Sequence, residues 1–395
     1  MKLRLAVLMV AALLCSCRTR MEGPQRIQEN GVEVVVNGPA PVAVSGQPHS
    51  LSLHEVFRID LEDAALAEAG LVDSPIIDVD SKGQIYLFRP VNPGAKGQVI
   101  FQFDDRGNLL KSFGTIGQGP GELMYPNFLR MTAADEIPVL TGDTRSLAYL
   151  DSSGRLIRSS PLPSDYHFIL NRFVLLPNGN ILAQILPLNE QGQFSKLTLA
   201  IFDAQLKKIR DIHDFAFSDR IEETKNPFVS IPLIAVGDRS FFVNSAPSEN
   251  DIAAYDLDGK LIRLIRSPFP ILPIPAGYKN ELLGRIPGSR GYEPVRTLIG
   301  HVEKWPSFQA LFADDQGRLF VEGFKKDSAG GENICDVFSP DGVRFARAAL
   351  GRHEILRAIF EMQPFDIVIK KDRCYCLREK ADGFKEVVVY SMSWN

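Results

Sequence analysis

The feature that most constrains the fold of this chain is a unit of about 50 residues that recurs along it. Residues 99–122 show part of the unit most plainly. Val99, Phe101 and Phe103 alternate with other residues, as expected of a strand with one buried face, and a second apolar run starts at Leu109. The Asp-Asp-Arg-Gly sequence between the two runs is typical of a tight turn, because aspartate can bond the backbone ahead and glycine tolerates a positive φ. The pattern predicts a β-hairpin.

The spacing of these hairpins predicts a propeller. A first pair of apolar strands around a polar turn precedes each hairpin, as in residues 77–87. The reference positions of successive hairpins are 47, 52, 53, 83 and 51 residues apart, and they are Asp104, Asp151, Asp203, Asp256, Ser339 and Tyr390. A period near 50 residues with four strands per unit is typical of a β-propeller. We therefore predict an all-β fold, a six-bladed β-propeller with four-stranded blades.

The predicted propeller occupies residues 49–395 as one domain. The one long interval contains an insertion, residues 269–308, before the fifth blade. The last unit ends at Asn395 without room for an outer strand, so we expect an N-terminal strand, Val56–Ile59, to complete it. Such a pairing closes the ring and covers two sheet edges that would otherwise be exposed.

The N-terminus has the pattern of a targeting segment. Lys2 and Arg4 precede an apolar run of ten residues, which is too short to span a bilayer and has the length of a signal-peptide core. The following Leu-Cys-Ser-Cys sequence resembles a bacterial lipobox. The resemblance implies a lipoprotein signal peptide over residues 1–16 and a lipid on Cys17. The alternative is plain secretion with an unmodified Cys17.

The residues after Cys17 predict where the protein is located and how it is attached. Arg18 in the position after this cysteine favours the outer membrane of a Gram-negative bacterium, reached after secretion across the inner membrane. Residues 17–48 contain Gly-Pro and Ala-Pro pairs and little amphipathic pattern, so we predict a flexible tether between lipid and domain. The membrane is then contacted through the lipid anchor only.

Charge and cysteine content limit the partners and the chemistry. The formal net charge is −4, and no basic run exceeds two residues, which argues against nucleic acid as a partner. Three cysteines follow the lipobox: Cys335, Cys374 and Cys376. The latter two share one strand face and cannot readily bond each other. One of them could bridge to Cys335 in an oxidising compartment, or all three could be buried thiols.

The linker after the first predicted blade resembles a known family. Residues 113–122 read FGTIGQGPGE, with Pro126 close behind, and resemble the blade linker of NHL-repeat propellers. Residues 304–308 (KWPSF) lead into 312–321 (FADDQGRLFV), a block that is similar to one found in bacterial six-bladed β-propeller lipoproteins related to NHL proteins. The resemblance implies the propeller fold and the lipid anchor, and it implies no defined activity.

The remaining motifs favour structure over chemistry. The Gly117-x-Gly119-x-Gly121 sequence lacks the strand-to-helix context of a dinucleotide loop, so a turn between blades is expected. The Asp-x-x-Gly turns lack the alternate oxygen ligands of a calcium loop. None of the six histidines forms a metal-ligand pair, and no nucleophile-elbow sequence is present.

Ligand sites of propellers lie at the mouth of the central channel, where inner strands and linkers converge. The candidate ligand-binding residues at such positions in the blades are Arg89, Arg130, Arg172 and Asn244. The candidates in the insertion are Tyr278, Arg285, Arg290, Tyr292 and His301. A basic and aromatic loop suits an anionic or sugar-like ligand or another protein. The alternative is a solvated loop that caps the channel.

Three functions are compatible with these features. The first is a monomeric, non-enzymatic scaffold, tethered to the membrane, that binds a protein or glycan partner at the cell envelope without a cofactor. The second is a channel-centred, metal-dependent hydrolase or lyase that resembles gluconolactonase-type propellers, with a divalent metal on the channel axis. It requires Glu, Asp, Asn or His side chains from at least three blades to meet near the channel. The third is a structural part of an envelope complex.

Overall fold

A computed structural model describes residues 23–42, 50–71, 75–89, 91, 96–117, 119, 122–141, 145–164, 166–187, 197–215, 232–244, 251–285, 293–326, 333–350, 366–380 and 382–395. These residues form six β-sheets, which are the blades of a propeller. The helices of the described part are α1 (Ala64–Glu68), α2 (Ala276–Arg285) and α3 (Glu293–His301). None of them is long and apolar enough to cross a membrane. The predicted fold class, an all-β propeller with six blades, is confirmed.

Each blade is an antiparallel sheet that follows the chain outward from the channel. The innermost strands of blades 1 to 6 are β4 (Ile76–Val79), β8 (Pro126–Phe128), β12 (Tyr166–Leu175), β16 (Ile234–Val236), β20 (Ala310–Ala313) and β24 (Ile367–Lys370). The second strands are β5 (Ile85–Phe88), β9 (Ile137–Thr141), β13 (Ile181–Pro187), β17 (Ser240–Asn244), β21 (Leu319–Lys326) and β25 (Arg373–Glu379). The third strands are β6 (Gln98–Phe103), β10 (Ser146–Leu150), β14 (Leu197–Phe202), β18 (Asp251–Asp256), β22 (Asn333–Phe338) and β26 (Lys385–Trp394).

The fourth strands show how the ring closes. In blades 1 to 5 they are β7 (Leu109–Thr115), β11 (Leu156–Pro161), β15 (Lys208–Phe215), β19 (Leu261–Arg266) and β23 (Arg344–Ala349). Blade 6 takes its fourth strand from the N-terminal region, because β3 (Leu51–Asp60) pairs antiparallel with β26. The predicted closure is confirmed, and the closing strand is longer than the Val56–Ile59 segment predicted from the sequence.

The hydrophobic core is divided into six layers, one between each pair of neighbouring blades. Successive side chains of a strand point to opposite faces of the sheet, so each blade packs one set of apolar side chains against each of its two neighbours. Leu87 of blade 1, for example, packs with Val389 of blade 6, whereas Phe88 packs with Phe128 of blade 2. The layer between blades 5 and 6 contains Cys335, Cys374 and Cys376, all buried and none in a disulfide.

The N-terminal segment departs from the sequence prediction. Residues 25–36, predicted as part of a flexible tether over residues 17–48, form a hairpin of β1 (Gln25–Glu29) and β2 (Val32–Val36). Strand β2 pairs parallel with β19, so the sheet of blade 4 has six strands. The tether prediction is wrong for these residues, because β19 offers an unpaired edge.

Ion pairs fix this hairpin on blade 4. Glu33 accepts a hydrogen bond from Nε of Arg263 at 2.6 Å. Arg266 bonds Glu29 at 2.8 Å and Asp251 at 2.9 Å. The hydrogen bond from Arg266, together with its positive charge, lowers the pKa of Glu29. The hairpin is therefore part of the folded domain.

The chain then crosses the outer strand of blade 5. Asn37, which is buried, donates to the carbonyl oxygen of Gly342 at 3.0 Å and accepts from the amide of Arg344 at 2.7 Å. The guanidinium of Arg344 is also buried and bonds Asp336 at 3.0 Å. The buried charge of Arg344 thus has a partner, as a buried charge requires. Arg344 also connects this ion pair to Asn37, because its backbone amide bonds the side chain of Asn37. The N-terminal segment thus contacts the outer strands of blades 4 and 5 before it completes blade 6 at β3.

Several of the hairpin turns share one mechanism. In six of them the first residue is an aspartate whose Oδ1 accepts the amides two and four residues ahead; these are Asp80, Asp104, Asp151, Asp203, Asp256 and Asp314. Asp151 also accepts a bond from the hydroxyl of Ser153. These bonds favour the carboxylate and lower the pKa of Asp151 to about 2.

The glycine in the outer turn of a blade contacts the outer strand of the preceding blade. A Cβ at Gly154 would lie 2.5 Å from Cδ2 of Phe113 in blade 1, and one at Gly107 would lie 2.8 Å from Phe57 in β3. Blade 3 has Leu206 at this position, with a φ of 63°, and its side chain is buried in the layer between blades 2 and 3. The turn glycines thus serve both the turn and the packing between blades.

A pair of matched substitutions separates these two roles. Gly154 and Gly179 have the same φ of 85°, but no atom lies within 4 Å of a Cβ at Gly179. We expect Gly179→Ala to lower the free energy of unfolding by about 1–2 kcal/mol, the cost of a left-handed alanine. Gly154→Ala should cost about 1–3 kcal/mol more, because the methyl group meets Phe113. Urea unfolding of both variants tests this, and equal losses would contradict the packing role.

Candidate functional site

The strand directions give the propeller two distinct faces. All innermost strands begin on the side where successive blades are linked, here called the linker face, and end on the opposite side. The turn between the first and second strands of each blade lies on that opposite side, here called the turn face, as does the turn between the third and fourth strands of blades 1 to 5. The insertion after β19 emerges on the linker face.

The innermost strands enclose a cavity of about 260 Å³ at their turn-face ends. All six blades contribute to its wall, and the residues with polar or charged side chains in the wall are Asp78, Arg130, Thr132, Asp238, Asp314, Asp315 and Lys370. Asp238 and Asp315 are exposed at the mouth, together with Ala133. The volume lies just below the usual range of small-molecule pockets. It suits a single sugar ring or one protruding side chain.

Asp78 is a buried carboxylate of the central wall, with 5% of the residue exposed. Its Oδ1 accepts the amide of Val79 at 2.8 Å, and its Oδ2 accepts the amide of Met131 in blade 2 at 2.5 Å. Backbone amides satisfy a buried carboxylate without a counter-ion. Asp78 therefore joins blades 1 and 2 and gives the cavity a fixed negative group.

Arg130 supplies a positive group beside it. Its guanidinium donates to the carbonyl oxygen of Ile77 in blade 1 and, at 2.8 Å, to that of Ile367 in blade 6. Lys370 of blade 6 donates in the same way to the carbonyl of Val79 at 2.7 Å. These bonds to main-chain atoms hold both cations in place, so the cavity has a preformed wall of mixed charge.

The turns around the mouth are bonded to one another. Ser81 of blade 1 donates its amide to Asp135 of blade 2 at 2.7 Å, and Lys371 of blade 6 donates its amide to Asp315 of blade 5 at 2.9 Å. The Nζ of Lys371 also donates to the carbonyl of Ser81. Behind them, burial raises the pKa of Asp314, while Arg318, 2.5 Å away, opposes the rise. The rim is thus held across several blades.

The structure separates the residues predicted for ligand binding. Arg130 alone of those with described side chains lines the cavity. By their places in the topology, Arg89, Asn244, Tyr278 and His301 lie on the linker face. The predictions for Cys17, Arg290 and Tyr292 and for the side chains of Arg172 and Arg285 fall outside the described residues.

Two of the linker-face candidates are engaged in structural bonds. Arg89 donates to the carbonyl oxygens of Gly70 at 3.2 Å and Lys96 at 2.7 Å, and its guanidinium packs directly on Gly70. The side-chain oxygen of Asn244 accepts the amide of Leu233 at 2.8 Å, just before the inner strand of blade 4. Both side chains fix connections between strands.

The other two lie in the insertion, which contains helices instead of the expected loop. The prolines of the insertion are compatible with these helices, because proline disrupts a helix interior but fits its first turn. Pro275 directly precedes α2, and Pro294 is the second residue of α3. Tyr278 of α2 packs edge-on against Trp305, whose ring stacks on Phe324 of β21 at 4.5 Å. His301 is exposed and bonds the carbonyl of Thr297.

Two glycines of the glycine-rich segment, Gly117 and Gly119, lie against a glutamate. The carboxylate of Glu122 folds back onto Gly117 and accepts the amide of Gly119 at 2.7 Å. A Cβ at Gly117 would overlap this carboxylate. The close approach of this side chain is the physical reason for glycine at 117.

The described residues contain no group of three or more His, Cys, Asp or Glu side chains placed to hold a metal ion. The oxygen atoms of Asp78 and Asp314, the buried carboxylates of the cavity wall, are bonded to backbone amides or to Arg318. The donor set that a metal on the channel axis requires is thus not found in the described part of the channel.

Sequence reasoning missed Asp78 and Lys370 as cavity residues. A usable signal existed, because Asp78 precedes the turn residue Asp80 by two positions and Arg130 precedes Thr132 by the same distance. Thr132 replaces the turn aspartate of blade 2 and accepts the amide of Glu136. Alignment of the repeats on these turns would have brought Asp78 and Arg130 together.

Comparisons with known proteins show the fold. The sequence matches no family profile and no curated protein. A protein of Bacteroides fragilis that is predicted to be exported has 11% identity and a TM-score of 0.50, with 91% of this chain and 99% of that chain covered. A DUF4221-family protein of Bacteroides vulgatus has 11% identity and a TM-score of 0.48, with 88% and 100% covered.

Enzymes occur among the similar structures as well. A streptogramin B lyase has 13% identity and a TM-score of 0.41, with 87% of this chain and 98% of that chain covered. These neighbours are six-bladed β-propellers. Their identities are low, so the likeness is one of fold.

A substitution at Arg130 tests its role in the wall. Arg130→Met removes the bonds to two main-chain carbonyls, and we expect the free energy of unfolding to fall by about 1–3 kcal/mol. Arg239→Met is the control, because the side chain of Arg239 is 94% exposed and should change stability by less than about 0.5 kcal/mol. Urea unfolding of both variants gives the comparison. Equal effects would mean that Arg130 does not join the blades.

Proposed function

We propose that this protein is a non-enzymatic scaffold of the bacterial cell envelope that binds a protein or glycan partner at the turn face. The observation that carries the proposal is the cavity lined by all six blades, whose charged groups are held by main-chain bonds. A rigid, preformed site loses little entropy when a ligand binds. A partner would insert one side chain or sugar ring into the cavity and contact the charged rim.

The anchor is the second part of the proposal. The lipobox-like sequence that ends at Cys17 supports a lipid anchor, and Arg18 after it supports the outer membrane, reached after secretion across the inner membrane. The resemblance to six-bladed propeller lipoproteins related to NHL proteins supports the same assignment. The mildly acidic net charge of −4 favours protein or glycan over nucleic acid.

A plug in the cavity tests the binding site. Ala133 is exposed and lines the mouth, whereas Ala134, the next residue in the same turn, is exposed but does not line it. Wild-type protein, Ala133→Trp and Ala134→Trp are used as bait for cross-linked native membranes and in a glycan screen. We expect Ala133→Trp to lose the ligand that wild type and Ala134→Trp retain, because the indole fills the cavity.

Two results would overturn the proposed site. If both tryptophan variants bind as wild type does, the partner does not enter the cavity. If wild-type protein recovers neither a protein nor a glycan, the scaffold function itself is wrong. Unfolding curves of the two variants should match, since both alanines are exposed in one turn.

Metal content separates the scaffold from the hydrolase or lyase of the second hypothesis. We expect mass spectrometry of protein purified from residue 18 onward to find less than one divalent ion per chain, because the described residues lack a suitable ligand group. One tightly held calcium or zinc ion per chain would instead favour an enzyme.

A further inference from the structure

The chain enters the folded domain next to the point where the insertion leaves it. Gln25, the first residue of β1, pairs with Val36 of β2, and Val36 pairs with Arg266, the last residue of β19. Two strand spacings amount to about 10 Å. Gln25 therefore lies on the linker face, about 10 Å from the start of the insertion.

The hairpin also shortens the reach of the proposed lipid anchor, on which this inference rests. A tether over residues 17–48 could separate the domain from the membrane by about 100 Å, at 3.3–3.6 Å for each extended residue. Because the chain is already paired at Gln25, the distance from Cys17 is at most about 29 Å. The linker face of blade 4 must then stay close to the bilayer.

The insertion presents an apolar segment on this same face. Residues 270–275, here called the ribbon, have the sequence PILPIP. The ribbon is held by bonds from Trp305 to the carbonyl of Leu272 and from Ile274 to the carbonyl of Glu303, both 2.9 Å. Ile271 is 46% exposed. Its three prolines have no amide hydrogen, so the ribbon carries few donors that would lose water at an interface.

Among the described side chains around the ribbon, three lysines outnumber the exposed carboxylate of Glu303, which favours an anionic surface. Lys304 is exposed next to it, Lys279 follows in the first turn of α2, and Lys325 is exposed at the end of β21 on the same face. Tyr278 is half-buried beside Lys279. Exposed aliphatic groups flanked by lysine and an aromatic ring are typical of segments that lie in the headgroup region of a membrane.

We infer that the linker face rests on the bilayer that carries the lipid of Cys17, with the ribbon inserted among the headgroups and Lys279 and Lys304 near the lipid phosphates. Blade 4 and the insertion form the contact. The turn face, with the mouth of the cavity, then points away from the membrane and is open to a partner.

Site-directed spin labels test this orientation in the mature, lipid-bearing protein. Nitroxides are attached to Ile271→Cys on the ribbon, Ile27→Cys on β1 at the outer edge of blade 4, and Lys82→Cys on the turn face. All three sites are exposed, whereas Cys335, Cys374 and Cys376 are buried. In vesicles of phosphatidylethanolamine and phosphatidylglycerol, the label at 271 should gain oxygen accessibility and lose nickel-chelate accessibility several-fold. The label at 82 should not change.

The other outcomes decide against the orientation. If the label at 27 enters lipid and the label at 271 does not, the propeller contacts the membrane through β1, the outermost strand of the blade 4 sheet. If no label enters lipid although the protein floats with the vesicles, the anchor stands and the docking face is wrong. If mass spectrometry of the N-terminal peptide finds no lipid on Cys17 in the native host, the anchor is wrong, and so is the geometry derived from it.

Discussion

The structure depends on the burial of both faces of every blade. A single four-stranded sheet with apolar residues on both faces is stable only between two neighbours, and a row of such sheets has no exposed end only when it closes into a ring. Closure here needs the pairing of β3 with β26, strands from opposite ends of the chain. Phe57 and Ile59 of β3 then complete the layer between blades 6 and 1, where Phe57 meets Gly107.

The sequence was sufficient to predict the blades because their signals are local. Turn aspartates, glycines with positive φ and alternating apolar residues recur at a nearly constant spacing, and each acts within a few residues. The β1–β2 hairpin could not be predicted in this way. Its stability depends on the edge of β19 and on Arg263 and Arg266, more than 200 residues away. The short Val32–Val36 run alone does not specify such a partner.

The candidate site was harder to predict than the fold for a related reason. Arginines near strand ends look alike in a sequence, but Arg130 faces the channel, whereas Arg89 spans a loop. What distinguishes them is the set of carbonyl oxygens within reach, and these come from other blades. The charged wall is therefore a property of the assembled ring. This also explains why Asp78, which bonds an amide of blade 2, did not stand out.

The course of the N-terminal segment has a consequence for how the protein folds. Strand β2 pairs with β19, Asn37 bonds β23 and β3 pairs with β26, so these early segments have to wait for segments that are synthesised much later. Blades 1 to 3 can form from neighbouring segments, but blade 6 cannot form until residues 385–394 have emerged. Contacts between distant segments slow folding. The unpaired edges of β3 and β26 are open to wrong partners during this interval, so the chain ends are where misfolding would start.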